Sequence, residues 1–193
     1  MVFISKVYTK SGDAGDSSLV GGTKQRKSSL RFSVVGDVDE LNCQVGVVRT
    51  LAEENELFSG LAEELKKIQN RLFDIGSELA TVDESFFKHF VLVDETDVKY
   101  LEDLIDEHNA DLGDLKSFTI PGGSMLNAHL HIARSVSRRL ERQAVALMDE
   151  ENVNQQIMIY LNRLSDYFFV WSRKSAQLLK HSEYLWERKN GKN

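Results

Sequence analysis

The chain has one cysteine, Cys43, and one proline, Pro121, in 193 residues. A lone thiol excludes a disulfide within the chain and fits a reducing compartment. With so little proline, few positions interrupt long helices. No apolar run approaches the roughly 20 residues of a membrane span. The opening Met1-Val2-Phe3-Ile4-Ser5-Lys6 turns polar too soon for a signal peptide, so a cytoplasmic protein without a membrane partner is expected. Repeats and low-complexity tracts are absent. Several motifs are missing too. No Gly-x-x-x-x-Gly-Lys-Ser/Thr occurs, which excludes a Walker A loop. No Glu-x-x-His occurs, which argues against a ferritin-like di-iron bundle. His129 and His131 are two residues apart and diverge on a helix, so they cannot share a metal. No serine-hydrolase arrangement of nucleophile and base is visible. Cys43, in an apolar helical stretch, reads as a buried, inert thiol. Net charge is −6, so the surface does not invite nucleic acid, and any anion site is a local cationic pocket in an acidic protein.

What is present is the balance of a globular protein, 41% hydrophobic and 28% charged, with a length that suits one domain over 1–193. Five helical patterns stand out. The first runs from about Ser33 to Leu51, with Leu41, Val45 and Val48 on one face. The second spans about Phe58 to Ala80, where Leu61, Leu65, Ile68, Leu72, Ile75 and Leu79 form the seam of a packed bundle. The third covers about Asp94 to Asn109. The fourth starts after Pro121-Gly122-Gly123 with Ser124 as N-cap and continues through Leu147. The fifth runs from about Asn154 to Lys180 through Leu161, Leu164, Phe168 and Trp171. An all-α fold is expected, with Arg188 to Asn193 as a frayed tail.

The segment Thr9 to Lys24 reads differently. It is dense in Gly, Ser, Thr and Asp, anchored by Leu19 and Val20, and flanked by Lys10, Lys24, Arg26 and Lys27. Backbone N–H groups and hydroxyls of such a loop can cradle phosphate; a plain surface loop is the other reading. On the fourth helix Arg134 and Arg138 share a side one turn apart, together with apolar residues. They therefore point toward a cleft or interface that needs an anion. Asp37, Asp39 and Glu40 lie near the expected start of the first helix, where carboxylates offset the macrodipole. Asp39 also sits beside the packed face, within reach of an arginine of another helix or subunit. Phe118-Thr119-Ile120 before Pro121 is either a staple at the helix start or a wall against a flat apolar ligand. Asn162, Ser165 and Asp166 share a face of the fifth helix, where they could satisfy the arginines of the fourth.

Five blocks then occur in one order: Thr9-Lys10-Ser11-Gly12-Asp13-Ala14-Gly15, Gly36-x-x-Asp39-Glu40-Leu41-Asn42, Pro121-Gly122-Gly123, Arg134 to Arg142, and Leu161-Asn162-Arg163-Leu164-Ser165-Asp166. Together they resemble the PduO-type ATP:cob(I)alamin adenosyltransferases, from Tyr8 to Arg173. The resemblance implies a five-helix bundle with an N-terminal nucleotide-binding loop, assembled as a homotrimer with active sites between subunits. It implies transfer of the adenosyl group of ATP to the cobalt of reduced cobalamin, with release of triphosphate. Thr9, Lys10, Ser11, Gly12, Ser17, Ser18 and Lys27 would hold the triphosphate. Arg138, Arg139, Glu141, Arg142 and Asn162 would complete the ATP site across the interface. Arg134 would pair with Asp39 of a neighbouring chain, and Phe118 would lie under the corrin ring. Mg2+ accompanies ATP in this reading, K+ is a further candidate ion, and no protein metal site is implied. A flavin-type reductase and a cobalamin-dependent client enzyme are the implied protein partners. Ser137 stands where the family often has cysteine and Leu140 where alanine is common. A helical module that binds nucleotide or corrinoid without chemistry would carry the same motifs.

Overall fold

The computed structural model describes Tyr8 and residues 10–188. They are mostly helical: α1 (Leu30–Glu53), α2 (Ser59–Leu79), α3 (Glu95–Asn109), α4 (Met125–Glu150) and α5 (Gln155–Leu178), with 3-10 turns at Glu56–Phe58 and Glu84–His89. Two small antiparallel ladders depart from an all-helical reading. One pairs β1 (Asp16–Ser18) with β2 (Lys24–Arg26), the other β3 (Thr119–Ile120) with β4 (Tyr184–Leu185). Among the described residues no helix is long and apolar enough to cross a membrane.

Side-chain oxygens start four of the helices by accepting N–H groups that the first turn leaves unpaired. Ser29 accepts from Phe32, Ser124 from Asn127 and Asn154 from Gln156. Asp94 accepts from Thr96 and Asp97, and Asp97 returns a bond to the Asp94 N–H, a full capping box. α2 has no such cap and continues from the preceding 3-10 turn, which Asn55 caps. The Ser29 cap starts α1 at Leu30, earlier than the expected Ser33. Asp37, Asp39 and Glu40 therefore sit in the second and third turns, and the first turn carries no acid. Macrodipole compensation does not explain them.

α1 packs on α2 and α4, α4 on α5, and α5 on α3. The α2 seam is fully buried as the heptad spacing predicts, and it meets Val38, Leu41, Val45 and Val48 of α1 in one apolar cluster. Cys43, expected to be buried, is exposed. It lies two residues from both Leu41 and Val45, about 200° round the helix from each, and so on the opposite face.

Polar side chains tie the helices at points the sequence reading passed over. The Glu64 carboxylate of α2 accepts from Tyr167 Oη at 2.7 Å and Trp171 Nε1 at 2.9 Å on α5, and it meets His108 Nε2 of α3 at 2.8 Å. Burial, and then the Glu64 charge, push the Tyr167 phenol well above its usual range and keep it a donor. Buried Glu78 accepts from Val93 N and Asn154 Nδ2. Arg31 is 3% exposed and pairs with Glu151 at 2.7 Å, joining the start of α1 to the end of α4. Its guanidinium also donates to the Leu79 carbonyl. Breaking such a pair from one side strands a buried charge. Glu151→Ala is expected to lower unfolding stability by about 3 kcal/mol, near the low end for a buried pair because Glu151 itself is partly exposed. Urea denaturation measures it; a loss under about 1 kcal/mol would mean that water replaces the carboxylate.

Candidate active site

The glycine-rich segment is a compact hairpin rather than an extended loop. Gly15 has φ +88°, a conformation that costs a residue with a Cβ. The turn closes through Gly15 N to Gly12 O at 3.2 Å and Lys27 N to Gly15 O at 2.9 Å. Arg26 donates to the Ala14 carbonyl at 3.1 Å and to Asp16 Oδ1 at 3.0 Å, so this cation braces the hairpin. The Lys27 ammonium lies against Gly12; a Cβ there would stand 3.0 Å from Nζ. Ser17 faces Gln25 and Ser18 faces Lys24 across the ladder. Lys10, Ser11, Gly12, Ser17, Ser18 and Lys27 are thus gathered on one small element, while Thr9 lies outside the described residues. Buried Leu19 anchors the hairpin, and Val20 N donates to Ala80 O at 2.8 Å at the end of α2.

The arginines of α4 divide by helical angle. Arg139 turns to α1, where it pairs with Glu40 and lies 3.6 Å from Asp37. Arg138 and Arg142 are exposed, and Arg142 Nη1 donates to the Arg138 carbonyl at 2.9 Å. The Arg138 guanidinium makes no hydrogen bond or ion pair among the described residues. Asn162 of α5 donates to Glu141 at 2.9 Å and accepts from Arg163 at 2.6 Å. The α4 arginines are therefore not what it satisfies. Asp166 on the same face has its carboxyl raised by burial, against the opposing pull of Arg163 and Arg138.

Arg134 is half-buried and opens on a cavity of about 690 Å³ shared with Leu115, Phe118, His131, Phe169 and Trp186. That volume suits a sizeable organic ligand. Phe118 is 79% exposed. A staple side chain would be covered, so the exposed Phe118 does not serve as a helix-start staple. The C-terminal segment holds this wall in place: Trp186 N donates to Phe118 O at 2.8 Å, Ser117 Oγ to Trp186 O at 2.7 Å, and the Phe118 and Trp186 rings meet edge-on. Burial, and then Arg134, push His131 down to about 4, so it is a neutral imidazole at pH 7. Burial and Arg138 lower Arg134 in turn.

Asp39 is elsewhere. It lines a groove of about 450 Å³ between α1 and α2, with Val20, Phe32, Phe73 and Gly76. Arg134 and Asp39 do not meet within the chain, and no hydrogen bond or ion pair among the described residues joins the hairpin to Arg138. The sequence reading weighs His131 only as a metal ligand and does not single out Phe169 or Trp186. Phe169 follows the inward Phe168 by 100° of helix, a signal that was available; Trp186 lies in a polar stretch without periodicity.

A family model described as cobalamin adenosyltransferase matches residues 7–175. The chain belongs to the cobalamin adenosyltransferase family. It is 45% identical over 168 residues to a corrinoid adenosyltransferase of Bacillus subtilis, covering 87% of this chain and 85% of that one. It is 38% identical over 190 residues to a corrinoid adenosyltransferase of Mus musculus, covering 96% and 78%. Among solved structures, a phenylalanine-to-alanine variant of a PduO-type ATP:corrinoid adenosyltransferase from Lactobacillus reuteri, complexed with cobalamin and ATP, superposes with TM-score 0.88 at 39% identity, covering 95% and 100%. An arginine-to-lysine variant of that enzyme, complexed with ATP, gives 0.86 at 39% identity, covering 94% and 100%.

In this family member the buried histidine sets a pH dependence. His131 falls from 6.5 to about 4 on folding. Between those values the unfolded chain binds more protons, so stability rises with pH through the window and is lost as pH falls toward 4. The melting temperature of the wild type should therefore drop on acidification from pH 6.5 to 4.5, and His131→Phe should drop less steeply. Parallel curves for the two proteins would show that His131 titrates normally.

Proposed function

We propose that this chain transfers the 5′-deoxyadenosyl group of ATP to the cobalt of cob(I)alamin, releasing triphosphate, in sites shared between neighbouring copies of a five-helix, single-domain bundle assembled as a homotrimer. Family membership carries the transferase activity. One observation favours the shared site: the chain carries two half-sites that do not meet. The hairpin and the Asp39 groove form one and are joined through Val20. The Arg138 row and the Phe118 cavity form the other, on α4 and the loops beside it. The groove belongs to α1 and α2 and the cavity to α4 and α5, so bringing two chains together head to tail joins unlike patches. Such contacts close into a ring where the rotation between copies divides a full turn, as it does in a trimer.

In the assembled site the hairpin residues Lys10, Ser11, Gly12, Ser17, Ser18 and Lys27, together with Thr9, would hold the triphosphate. Arg138 and Arg142 would reach it from the neighbour with charge-assisted, bidentate contacts. Asn162 and Glu141, already bonded to each other, would order the nucleotide end of the row. Arg139 can join them only by leaving Glu40 and Asp37, so bracing α1 against α4 is its better-supported role. Arg134 would pair with Asp39 of the adjoining copy and close the cavity. Phe118 would present an apolar face beneath the corrin ring, excluding a lower axial ligand from the cobalt.

Cobalt is the nucleophile of the substrate, so no activated serine, cysteine or general base is required of the protein. Its task is to align cobalt, the ribose 5′-carbon and the leaving triphosphate, and to stabilise the charge that grows on the leaving oxygen. No group of three or more His, Cys, Asp or Glu stands ready for a metal among the described residues. Mg2+ would therefore ride on the phosphates, as it commonly does, and nothing in the site singles out K+. A flavin-type reductase and a cobalamin-dependent client enzyme in the cytoplasm would complete the setting.

The direct test mixes the protein with ATP, Mg2+ and chemically reduced cobalamin and follows the light-sensitive spectrum of the adenosylated product; a module that only binds gives none. Arg138→Ala should lower kcat at least about 100-fold while leaving the melting temperature within about one degree, because the side chain is exposed. Near-normal turnover would remove Arg138 from the site. Asp39→Asn should raise the corrinoid KM with assembly intact. The shared site has its own test. Lys27→Ala and Arg138→Ala chains, each inactive alone, should regain part of the wild-type rate when co-expressed as mixed oligomers. Mixed oligomers no better than either parent would place both residues in a single protomer's site.

A further inference from the structure

The proposed reaction leaves one buried group of the cavity without a task. His131 is 4% exposed and sits three residues before Arg134 on α4. Side chains of a helix lean toward its N-terminus, so the arginine stem folds back over the histidine. Arg134 Nε donates to His131 Nδ1 at 3.4 Å. The imidazole is fixed from its other side by Phe169 of α5, edge-on at 66° with centroids 6.4 Å apart. Both partners line the cavity that Phe118 and Trp186 wall.

The chemistry of the two groups fits a division of labour. Nε–H lies on one edge of the guanidinium fork, and committing it to His131 leaves the Nη groups for another acceptor. Among the described residues Arg134 has no carboxylate partner, and the proposed assembly offers one in Asp39 of the adjoining copy. We infer that His131 is a positioning residue for Arg134: its Nδ1 anchors Nε and turns the Nη groups outward at the cavity, ready for the incoming carboxylate. The inference rests on the reading of this cavity as the corrinoid site.

Accepting at Nδ1 requires a neutral ring, and the surroundings keep it so. Among the described residues, the charged and titratable groups around His131 are Arg134 on its own helix, Lys116 on the loop before β3, and His181 and Glu183 after α5. Glu183 alone is acidic, and Arg173 already holds it at 3.3 Å. A proton on His131 would face cations and remove the acceptor Arg134 uses. The neutral tautomer with hydrogen on Nε2 is the one this contact selects.

Three variants separate positioning from packing. His131→Phe keeps a ring against Phe169 but deletes the acceptor. His131→Asn places an amide oxygen near the Nδ1 position, and His131→Gln places its amide near Nε2 instead. The Phe and Gln variants should raise the corrinoid KM about tenfold while the ATP KM stays within about twofold, and Asn should recover most of the loss. In an Arg134→Ala background the Phe change should add nothing further, since its effect passes through Arg134. Asn as poor as Phe, a corrinoid KM unmoved in all three, or an undiminished effect in the Arg134→Ala background would each overturn the inference. Equilibrium binding of cob(II)alamin, followed by quenching of tryptophan fluorescence, gives the same comparison without catalysis. If the wild type binds cob(II)alamin but forms no adenosylcobalamin, the activity reading fails, and the variants still decide the role of His131.

Discussion

Helix α4 carries a stripe of cations, Arg134, Arg138 and Arg142, that no carboxylate pairs among the described residues, and the structure is organised around holding them there. Arg134, Arg138 and Arg142 recur every four residues, so they stack on one side. Like charges at this spacing cost a helix about 0.2–0.5 kcal/mol per pair. Arg139, one residue on, turns 100° away and finds Glu40 and Asp37. The contrast within one turn is informative in a chain with 30 acidic against 24 basic side chains. Carboxylates abound, yet none makes an ion pair with Arg138 among the described residues, and Asp166 only feels its charge. Lowering of Arg134 by burial and by Arg138 reports the same crowding. An anion entering this stripe relieves repulsion as well as gaining bonds.

Holding such a stripe requires a stiff support, and α4 is fastened along its length. Arg31 and Glu151 tie its end to the start of α1, Arg139 and Glu40 tie its middle, and Gln44 meets His129 near its beginning at 2.8 Å. Asn127 fixes the turn before it by accepting from Gly122 N and donating to the Ser172 carbonyl of α5. The three ties to α1 show the two helices running antiparallel. The helix that carries the arginine stripe is thereby locked to the helix that carries Asp39, although Arg134 and Asp39 line separate cavities. A displacement at one would be felt at the other.

The sequence disclosed most of this framework because apolar spacing is a strong local signal. The α2 seam from Leu61 to Leu79 could be read residue by residue, and Ser124 and Asn154 marked their helix starts through simple oxygen-to-amide chemistry. Local signals failed where a distant partner decides the outcome. The first helix starts at the Ser29 cap, before the expected Ser33, and the burial of Arg31 just after it is explained only by Glu151, 120 positions away. Cys43 was misplaced although the stripe through Leu41 and Val45 already excluded it from the core. Glu64 could not be found from spacing, since its partners come from α3 and α5. The candidate site followed the same division. Its residues were legible as motifs with a family resemblance. That the hairpin and the arginine row stay apart in one chain was expected only from the resemblance, because periodicity says nothing about how distant elements are placed.

The missing nucleophile and base follow from the same arrangement. An enzyme that must deprotonate a hydroxyl or thiol keeps a base beside it, and pairs of titratable groups with shifted affinities betray the site. Here the shifted groups in the cavity are a neutral histidine and a crowded arginine, and neither has a proton to exchange with a substrate at pH 7. What they offer is direction: one edge of a guanidinium tied down, its other edge free, above an aromatic wall. A reaction whose electron pair arrives on the substrate's own cobalt needs this and little else. The barrier that remains is one of alignment and of charge on a departing triphosphate, and fixed cations on a stiff helix can lower both.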